Sequence, residues 1–542
     1  ELKKQIVNVL FECKILDPAC GSGAYPMGVL HKMVELMTLL DKDNKFLKET
    51  EGKKLDHLIQ SAKQLTDAQT RNKTIEALQK QKEILQNAEY DYVRKLYIIE
   101  NCIYGVDIQP IAIQISKLRF FISLLVEQNK NENQQNYGIE PLPNMDFKLV
   151  AANTLIAPPQ EDKAEQTGLF AEQDNFFETF ESLAHDYFTL HTPETKKAKK
   201  EEIKKLIQEK VNEKKQSIKR NEEAHTLNGV AKNKQSAQTL LGLNNSKELW
   251  ESYPNLFKEK AVGFFETPYF FPKVKNGFDI VIGNPPYVNV EKIDKSIKDR
   301  IANFKTAYQK YDLYVLFYEK SLDLLKQKGI LNFITSNKFL SQGYGLKLRQ
   351  LFLENKLIEI INFNYDIFET ATVRTCILHI QKEKSNDNIL KIIDVNDKND
   401  NLKFQNKEYQ FLNQQIFNDT DENNFRINLT IEKVELLKKL EKNTLRVDEI
   451  CSVNYGLRPV SLIEGNDKYS FIKKEFQPNY KKYFEGKDTG NWSILSNNFL
   501  DYKKDEIYNP MFEELFENPK LAGLCTLSEI NKLRFIYDID GC

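Results

Sequence analysis

Phe278-Asp279-Ile280-Val281-Ile282-Gly283-Asn284-Pro285-Pro286-Tyr287 reads as an apolar strand that runs straight into a stiff polar turn. Two consecutive prolines fix φ and remove two backbone N–H donors, so the turn offers carbonyl oxygens and the Asn284 amide but little that donates. Such a set of acceptors suits an exocyclic amino group, and the Tyr287 ring suits the flat base that carries it. An ordinary loop is the competing reading, but it requires neither a glycine nor two prolines directly after an apolar run.

Upstream, the strand-then-turn pattern repeats. Lys14-Ile15-Leu16-Asp17 is a short strand, Pro18-Ala19-Cys20-Gly21-Ser22-Gly23 a glycine-rich turn, and Met27, Leu30, Met33, Val34, Met37 and Leu40 follow at helical spacing. A turn of this kind lets a ligand approach the backbone above a helix N-terminus, and a plain tight turn fits it equally. Ile103-Tyr104-Gly105-Val106-Asp107 is the next strand and leads into a helix from Ile111 to Leu125. Asp107 stands where a doubly wound nucleotide fold binds ribose hydroxyls, or else it caps that helix. Its separation from the glycine turn far exceeds the roughly 20 residues of a dinucleotide fold. A Lys-, Gln- and Glu-rich helical insertion over about 41–97, read as solvated, accounts for the excess.

Phe147 to Val150 predicts a third strand, leading to Asn153. A second insertion, about 157–272, contains a charged helix from Lys196 to Arg220 with Ile203, Leu206, Ile207 and Val211 on one face. It is either half of a solvated hairpin or a basic arm for DNA phosphates. Beyond the Asn-Pro-Pro-Tyr turn come a helix from Tyr311 to Leu325 and strands at 329–334, 357–363 and 376–380. Strands alternating with helices predict an α/β, doubly wound, mostly parallel sheet. The expected organisation is a first domain over 1–385, a linker and helix over 386–446, and a separate, incomplete α+β domain over 447–542.

Composition narrows the chemistry. The 542 residues carry a formal net charge of -1, so any nucleic acid must be held by local Lys/Arg patches rather than a global field. Seven scattered cysteines without a CxxC, and six histidines without zinc-ligand spacing, predict no metal site and a reducing, cytoplasmic setting. No apolar stretch approaches 18 residues, which excludes a membrane span from the expectation. A start at Glu1 rather than Met reads as part of a longer protein.

Taken together, Asp17-Pro18-Ala19-Cys20-Gly21-Ser22-Gly23, then Asp107, then Asn284-Pro285-Pro286-Tyr287 resemble the motifs of gamma-type N6-adenine DNA methyltransferases. Gly277-Phe278-Asp279 to Val288, Tyr311-Asp312-Leu313-Tyr314 and Phe368-Glu369-Thr370-Ala371-Thr372-Val373 resemble, more narrowly, the type IIG restriction–modification methylases. The resemblance covers Ile15 to about Ile380 apart from the insertions. It implies a Rossmann-like fold, S-adenosyl-L-methionine as cofactor, and double-stranded DNA with a flipped target adenine as partner. By the same resemblance, Asp17, Ala19, Gly21 and Gly23 surround the methionine end of the cofactor and Asp107 binds its ribose. Ile108, Asn153 and Phe317 surround its adenine. Asn284 and Pro285 hold the target amino group, Tyr287 stacks on the target base, and Phe368 closes the pocket, unless it is simply a core aromatic at a loop end.

Tyr455-Gly456-Leu457-Arg458-Pro459 and Tyr483-Phe484-Glu485-Gly486-Lys487-Asp488 resemble pieces of a target-recognition domain, in which Arg458, Lys481, Lys482 and Lys487 contact DNA or are plain surface charges. Two departures stand out. The family's further cofactor-contacting segment, usually with a Thr-Pro pair, has no match before Ile15, and the recognition domain is expected to continue past Cys542. The chain alone is therefore expected to bind cofactor poorly or to methylate without specificity. The leading reading is a DNA adenine-N6 methyltransferase of a restriction–modification or related phage-defence system. The alternatives are a bifunctional type IIG enzyme with a nuclease domain or subunit elsewhere, an RNA or protein-glutamine methyltransferase, and a non-catalytic DNA-recognition protein.

Overall fold

The computed structural model describes residues 2–158, 175–189, 193–227, 245–396, 409–461, 470–485, 497–523 and 535–538, apart from 65, 67, 131, 134, 140–144, 369–372, 386, 430, 443, 446 and 513. The chain divides into two compact units, 1–431 and 432–542.

The first unit is organised by one nine-stranded sheet. Its strands are β1 (Ile15–Asp17), β2 (Ile103–Asp107), β3 (Leu149–Ala151), β4 (Phe278–Gly283), β5 (Leu325–Ser336), β6 (Lys356–Phe363), β7 (Thr375–Gln381), β8 (Ile389–Val395) and β9 (Gln410–Asn413). They lie in the order β3-β2-β1-β4-β5-β7-β6-β8-β9. The run from β3 to β5 is parallel throughout, β7 is antiparallel to both its neighbours, and β9 is antiparallel to β8. The order reverses between β1 and β4, the place where an open α/β sheet leaves a crevice at its carboxyl edge.

Side chains that alternate along the strands feed two separate cores. On one face Ile15, Ile103, Leu149, Ile280 and Ile282 meet the helices Leu2–Glu12, Ala24–Leu40, Tyr90–Asn101 and Pro110–Leu125. On the other, Leu16, Tyr104, Val106, Phe278 and Val281 meet the helices Phe176–Thr189, Pro193–Leu227 and Tyr314–Leu324. The sheet is covered on both faces, as the expected doubly wound, Rossmann-like fold requires.

Three expectations need correction. The first insertion ends before residue 97: Lys45–Ala62 and Ala68–Asn87 pack together, but Tyr90–Asn101 covers the sheet, with Tyr92, Val93, Ile98 and Ile99 buried. Its charges hid that role. Arg94 is buried, with its two terminal nitrogens bonded to Asp91 and to the carbonyls of Asp41 and Lys42, and Lys95 pairs with Glu127 at 2.5 Å.

The charged helix of the second insertion does not belong to a solvated hairpin either. Ile203, Ile207 and Val211 are buried, and Trp250, Tyr253, Phe264, Phe265, Phe270 and Phe271 join the core. Its charged helix packs on Phe176–Thr189, and many of its lysines pair with carboxylates, among them Lys200 with Asp146. The third correction concerns the boundary at 385. β8 pairs in parallel with β6 from Glu359↔Lys391 to Phe363↔Val395, so the sheet continues into the expected linker.

The second unit consists of short antiparallel pairings. Arg458–Ser461 pairs with Ile507–Asn509, Asn498–Leu500 lies between Ile472–Lys473 and Lys481–Tyr483, and Lys520–Gly523 pairs with Phe535–Asp538. Phe471, Leu500 and Ile507 form a small core of its own. Among the described residues no helix is long and apolar enough to cross a membrane.

Candidate active site

Because β1, β2 and β4 are parallel neighbours, Asp17, Asp107 and Gly283 end at the same edge of the sheet. A cavity of about 660 Å³ opens there, within the range of small-molecule sites. Of the residues singled out from sequence, Ala19, Gly21, Asp107, Ile108, Asn153, Asn284 and Phe317 line it.

The glycine-rich turn is shaped by backbone that other residues resist. Gly21 and Gly23 have φ of +52° and +82°, and a Cβ on Gly23 would lie 2.8 Å from Ser116 Oγ. Ser116, from the helix after β2, donates to Gly21 O at 3.0 Å, while Gly21 N donates to Asp107 Oδ2 at 2.8 Å. Asp107 Oδ1 accepts from Gln109 N at 2.8 Å. The carboxylate is therefore fixed in place, and each oxygen keeps a lone pair for a further donor such as a hydroxyl.

Across the cavity, Asn153 is held by the second insertion: its N–H donates to Val262 O at 3.0 Å, and its Oδ1 accepts from Leu155 N at 3.2 Å. Thr154 Oγ1 donates to Pro18 O at 2.7 Å, tying this loop to the β1 turn. Ile108 and Ile111, both exposed, and Phe317 give the cavity apolar faces that suit a flat ring.

In the turn after β4, Pro285 is buried and Asn284 half-buried. Asn284 Oδ1 is itself buried and has no hydrogen-bond partner. A buried amide oxygen without a donor is costly, and such orphans call for an explanation. Tyr287 is half-buried: its hydroxyl donates to Ile334 O at 3.1 Å and its ring meets Tyr314 edge-on at 6.0 Å. Burial pushes its hydroxyl well above the usual tyrosine range.

Asp17 and Gly23 stand behind the lining and shape it without reaching it. Asp17 is buried, and its Oδ1 accepts from Ala19 N at 3.1 Å. Burial pushes its carboxyl up to about 8, against the opposing effect of that N–H and with the Asp107 charge adding to the rise. Phe368, Tyr287 and Pro285 are not among the cavity-lining residues. Phe368 is half-exposed, and 369–372 of its motif lie outside the described residues, as does Lys487.

The far wall was not foreseen. Ile293, Ile297 and Ile301 line the cavity together with Leu313, and Ile297 and Ile301 belong to the helix Lys295–Ile301. The three isoleucines recur every four residues, a one-face helical signal that is readable in the sequence. Among the described residues no group of His, Cys, Asp and Glu is arranged to hold a metal ion.

Residues 101–368 match the Eco57I restriction-modification methylase family. RM.MjaORFECS2P, a candidate type II restriction enzyme and methyltransferase of Methanocaldococcus jannaschii, is 25% identical over 571 residues, covering 95% of this chain and 42% of that protein. The type II restriction enzyme and methyltransferase RM.Eco57I of Escherichia coli is 36% identical over 112 residues, 20% of this chain and 11% of that one. The type II methyltransferase M.BstVI of Geobacillus stearothermophilus is 44% identical over 85 residues, 16% of this chain and 15% of that one. Among solved structures, the Type IIL restriction-modification enzyme MmeI in complex with DNA matches 92% of this chain and 46% of that chain, at 12% identity and a TM-score of 0.41. The chain thus spans less than half the length of these relatives.

Proposed function

We propose, for a chain whose residues 101–368 form an Eco57I restriction-modification methylase domain, that it transfers a methyl group from S-adenosyl-L-methionine to the N6 amino group of a flipped adenine in DNA. The observation that carries this reading is the orphaned, buried Asn284 Oδ1 on the wall of a cavity that also holds the Asp107 carboxylate.

The cavity suits the cofactor on its own terms. Asp107 keeps lone pairs for two ribose hydroxyls, and Gly21 leaves room for close approach. Ile108, Ile111 and Phe317 suit the faces of an adenine ring, and Asn153, pinned through Leu155 N, suits its edge. When bound, S-adenosyl-L-methionine supplies an electrophilic methyl group on a sulfonium.

The chain's own residues prepare the nucleophile. An adenine amino nitrogen attacks poorly because its lone pair is delocalised into the ring. Asn284 Oδ1 and the Pro285 carbonyl accept hydrogen bonds from its two N–H groups, which localises the lone pair and aims it. One of those protons leaves to solvent after transfer. Removing the base from the duplex costs a few kcal/mol. The Tyr287 ring offsets this by stacking, worth roughly 1–3 kcal/mol. Its hydroxyl, already engaged by Ile334, serves to fix the ring plane.

The test is methylation of host DNA by the full-length protein, with modified bases mapped by sequence. N6-methyladenine at a defined site, lost in Asn284→Ala, supports the reading. Methyl transfer to RNA or protein instead, or an unaffected Asn284→Ala, would overturn it. The relatives named as both restriction enzyme and methyltransferase support a second reading, a bifunctional protein with its nuclease elsewhere. Magnesium-dependent cleavage by the full-length protein separates the two.

A further inference from the structure

The least comfortable group near the cavity is Asp17. It ends the central strand β1 and is 2% exposed, and its Oδ2 has no hydrogen-bond partner. Its Oδ1 has one donor, the backbone N–H of Ala19. Pro18 and Ala19, which follow it, line the cavity, as does Asn284, which follows Gly283 on the adjoining strand. The two strand ends are pressed together, since a Cβ on Gly283 would lie 2.7 Å from Asp17 Oδ1. Only a glycine there lets the carboxyl sit directly behind the Asn-Pro-Pro-Tyr turn.

Among the described residues, the groups around Asp17 offer its charge no counter-ion. β2 presents the Asp107 carboxylate, its own loop presents the Cys20 thiol, and the helix Ala24–Leu40 presents the Tyr25 hydroxyl. β4 contributes Gly283, and Phe333 of β5, beside that glycine, is apolar. A buried carboxyl in such company favours its neutral form, and a cation arriving nearby reverses the preference. The shift of its titration up to about 8 agrees with this geometry.

We propose that Asp17 is a charge-sensing residue, protonated until the cationic sulfonium of S-adenosyl-L-methionine settles against the wall in front of it, and ionised while that cation is present. The proton leaves the Asp17 carboxyl for solvent on binding. It returns once methyl transfer has converted the sulfonium into the neutral thioether of S-adenosylhomocysteine. Asp17 thereby favours the substrate form of the cofactor over the product form and loosens its hold after turnover. This rests on the cofactor reading above.

The test is calorimetric titration of the full-length protein at pH 7 with each of the two ligands, in phosphate and in Tris, whose ionisation enthalpies differ. Binding of S-adenosyl-L-methionine is expected to release close to one proton per site and S-adenosylhomocysteine almost none, as linkage to a single titrating group requires. Asp17→Asn, neutral and of the same shape, is expected to abolish the release. It should also cut the preference for the cation over the thioether by roughly tenfold, the effect of one pH unit on one titrating group. Wild-type binding of the sulfonium without proton release overturns the role of Asp17 and leaves the cofactor reading intact, whereas binding of neither ligand overturns both. Infrared difference spectra of the wild type, which need no variant, give a second reading. The protonated-carboxyl band must disappear with the sulfonium and persist with the thioether, and its persistence with both refutes the proposal.

Discussion

The glycine-rich turn permits a paired experiment in which two alanines, two positions apart, have different effects for separable reasons. Gly21 and Gly23 both have positive φ, so alanine at either position costs about 1–2 kcal/mol of backbone strain. At Gly21 that is the whole steric cost, because a Cβ there meets no atom within 4 Å. At Gly23 the Cβ meets Ser116 Oγ at 2.8 Å and Ser116 Cα at 3.2 Å. The second of these is backbone, so the helix Pro110–Leu125 must move, and overpacking of this kind costs about 1–3 kcal/mol. Displacing Ser116 also breaks its bond to Gly21 O, worth about 1 kcal/mol.

The expected losses are therefore about 1–2 kcal/mol for Gly21→Ala and about 3–6 kcal/mol for Gly23→Ala. The assay is urea unfolding followed by the fluorescence of Trp250, which is buried in the first unit, in a Trp492→Phe background that leaves it the single reporter. Cofactor affinity should fall several-fold in Gly21→Ala, whose new methyl group enters the cavity. Equal unfolding midpoints for the two variants would show that Ser116 does not clamp the turn, and the account of this loop would fail.

Asn284→Ala should leave stability unchanged or slightly raised, because it removes a buried oxygen without a donor, while methyl transfer falls on the order of 10²–10³-fold; thermal unfolding and a tritium-transfer assay check the two halves, and parallel losses in both would mean a structural role. Tyr287→Phe removes the bond to Ile334 O at a cost of about 1 kcal/mol and retains most activity, whereas Tyr287→Ala loses the stacking ring; similar turnover by both variants contradicts that assignment. Asp17→Asn should stabilise the ligand-free protein more as pH rises. Its folded pKa, about 8, lies above the ordinary 3.8, so the wild-type contribution is fully present below pH 3.8 and is lost as pH rises toward 8. Urea titrations at pH 4 and pH 8 giving the same difference between variant and wild type would contradict this. Ile297→Asp, in the far wall, should weaken cofactor binding at least tenfold by placing a charge against an apolar lining, and unchanged affinity would remove that wall from the site.

Much of the candidate site was legible because its residues are compressed into short contiguous motifs. The Asp17–Gly23 turn, Asp107 and the Asn284–Tyr287 turn each announce themselves locally, and the parallel sheet aligns their strand ends at one edge. What the sequence concealed lies between the motifs. The buried face of Tyr90–Asn101 is masked by Arg94 and Lys95, whose charges are answered by Asp91, Glu127 and distant carbonyls that no local pattern reveals. The aromatic residues around Trp250 pack only once 245–272 returns to β3 through the Ala152↔Val262 bridge, so a segment read as an insertion turned out to brace Asn153. β8 and β9 escaped because the Asn-, Asp- and Lys-rich stretch around them resembles a linker.

The far wall of the cavity follows the Asn-Pro-Pro-Tyr turn directly in the chain, through Ile293, Ile297 and Ile301 to Leu313 and Phe317. One stretch, 278–317, therefore supplies both the Asn-Pro-Pro-Tyr turn and a third of the residues that line the cavity. For protein engineering this stretch is the smallest exchangeable cassette. A chimera that imports only the four-residue turn from a relative would pair it with a foreign wall, whereas one spliced before Phe278 and after Phe317 keeps the two matched.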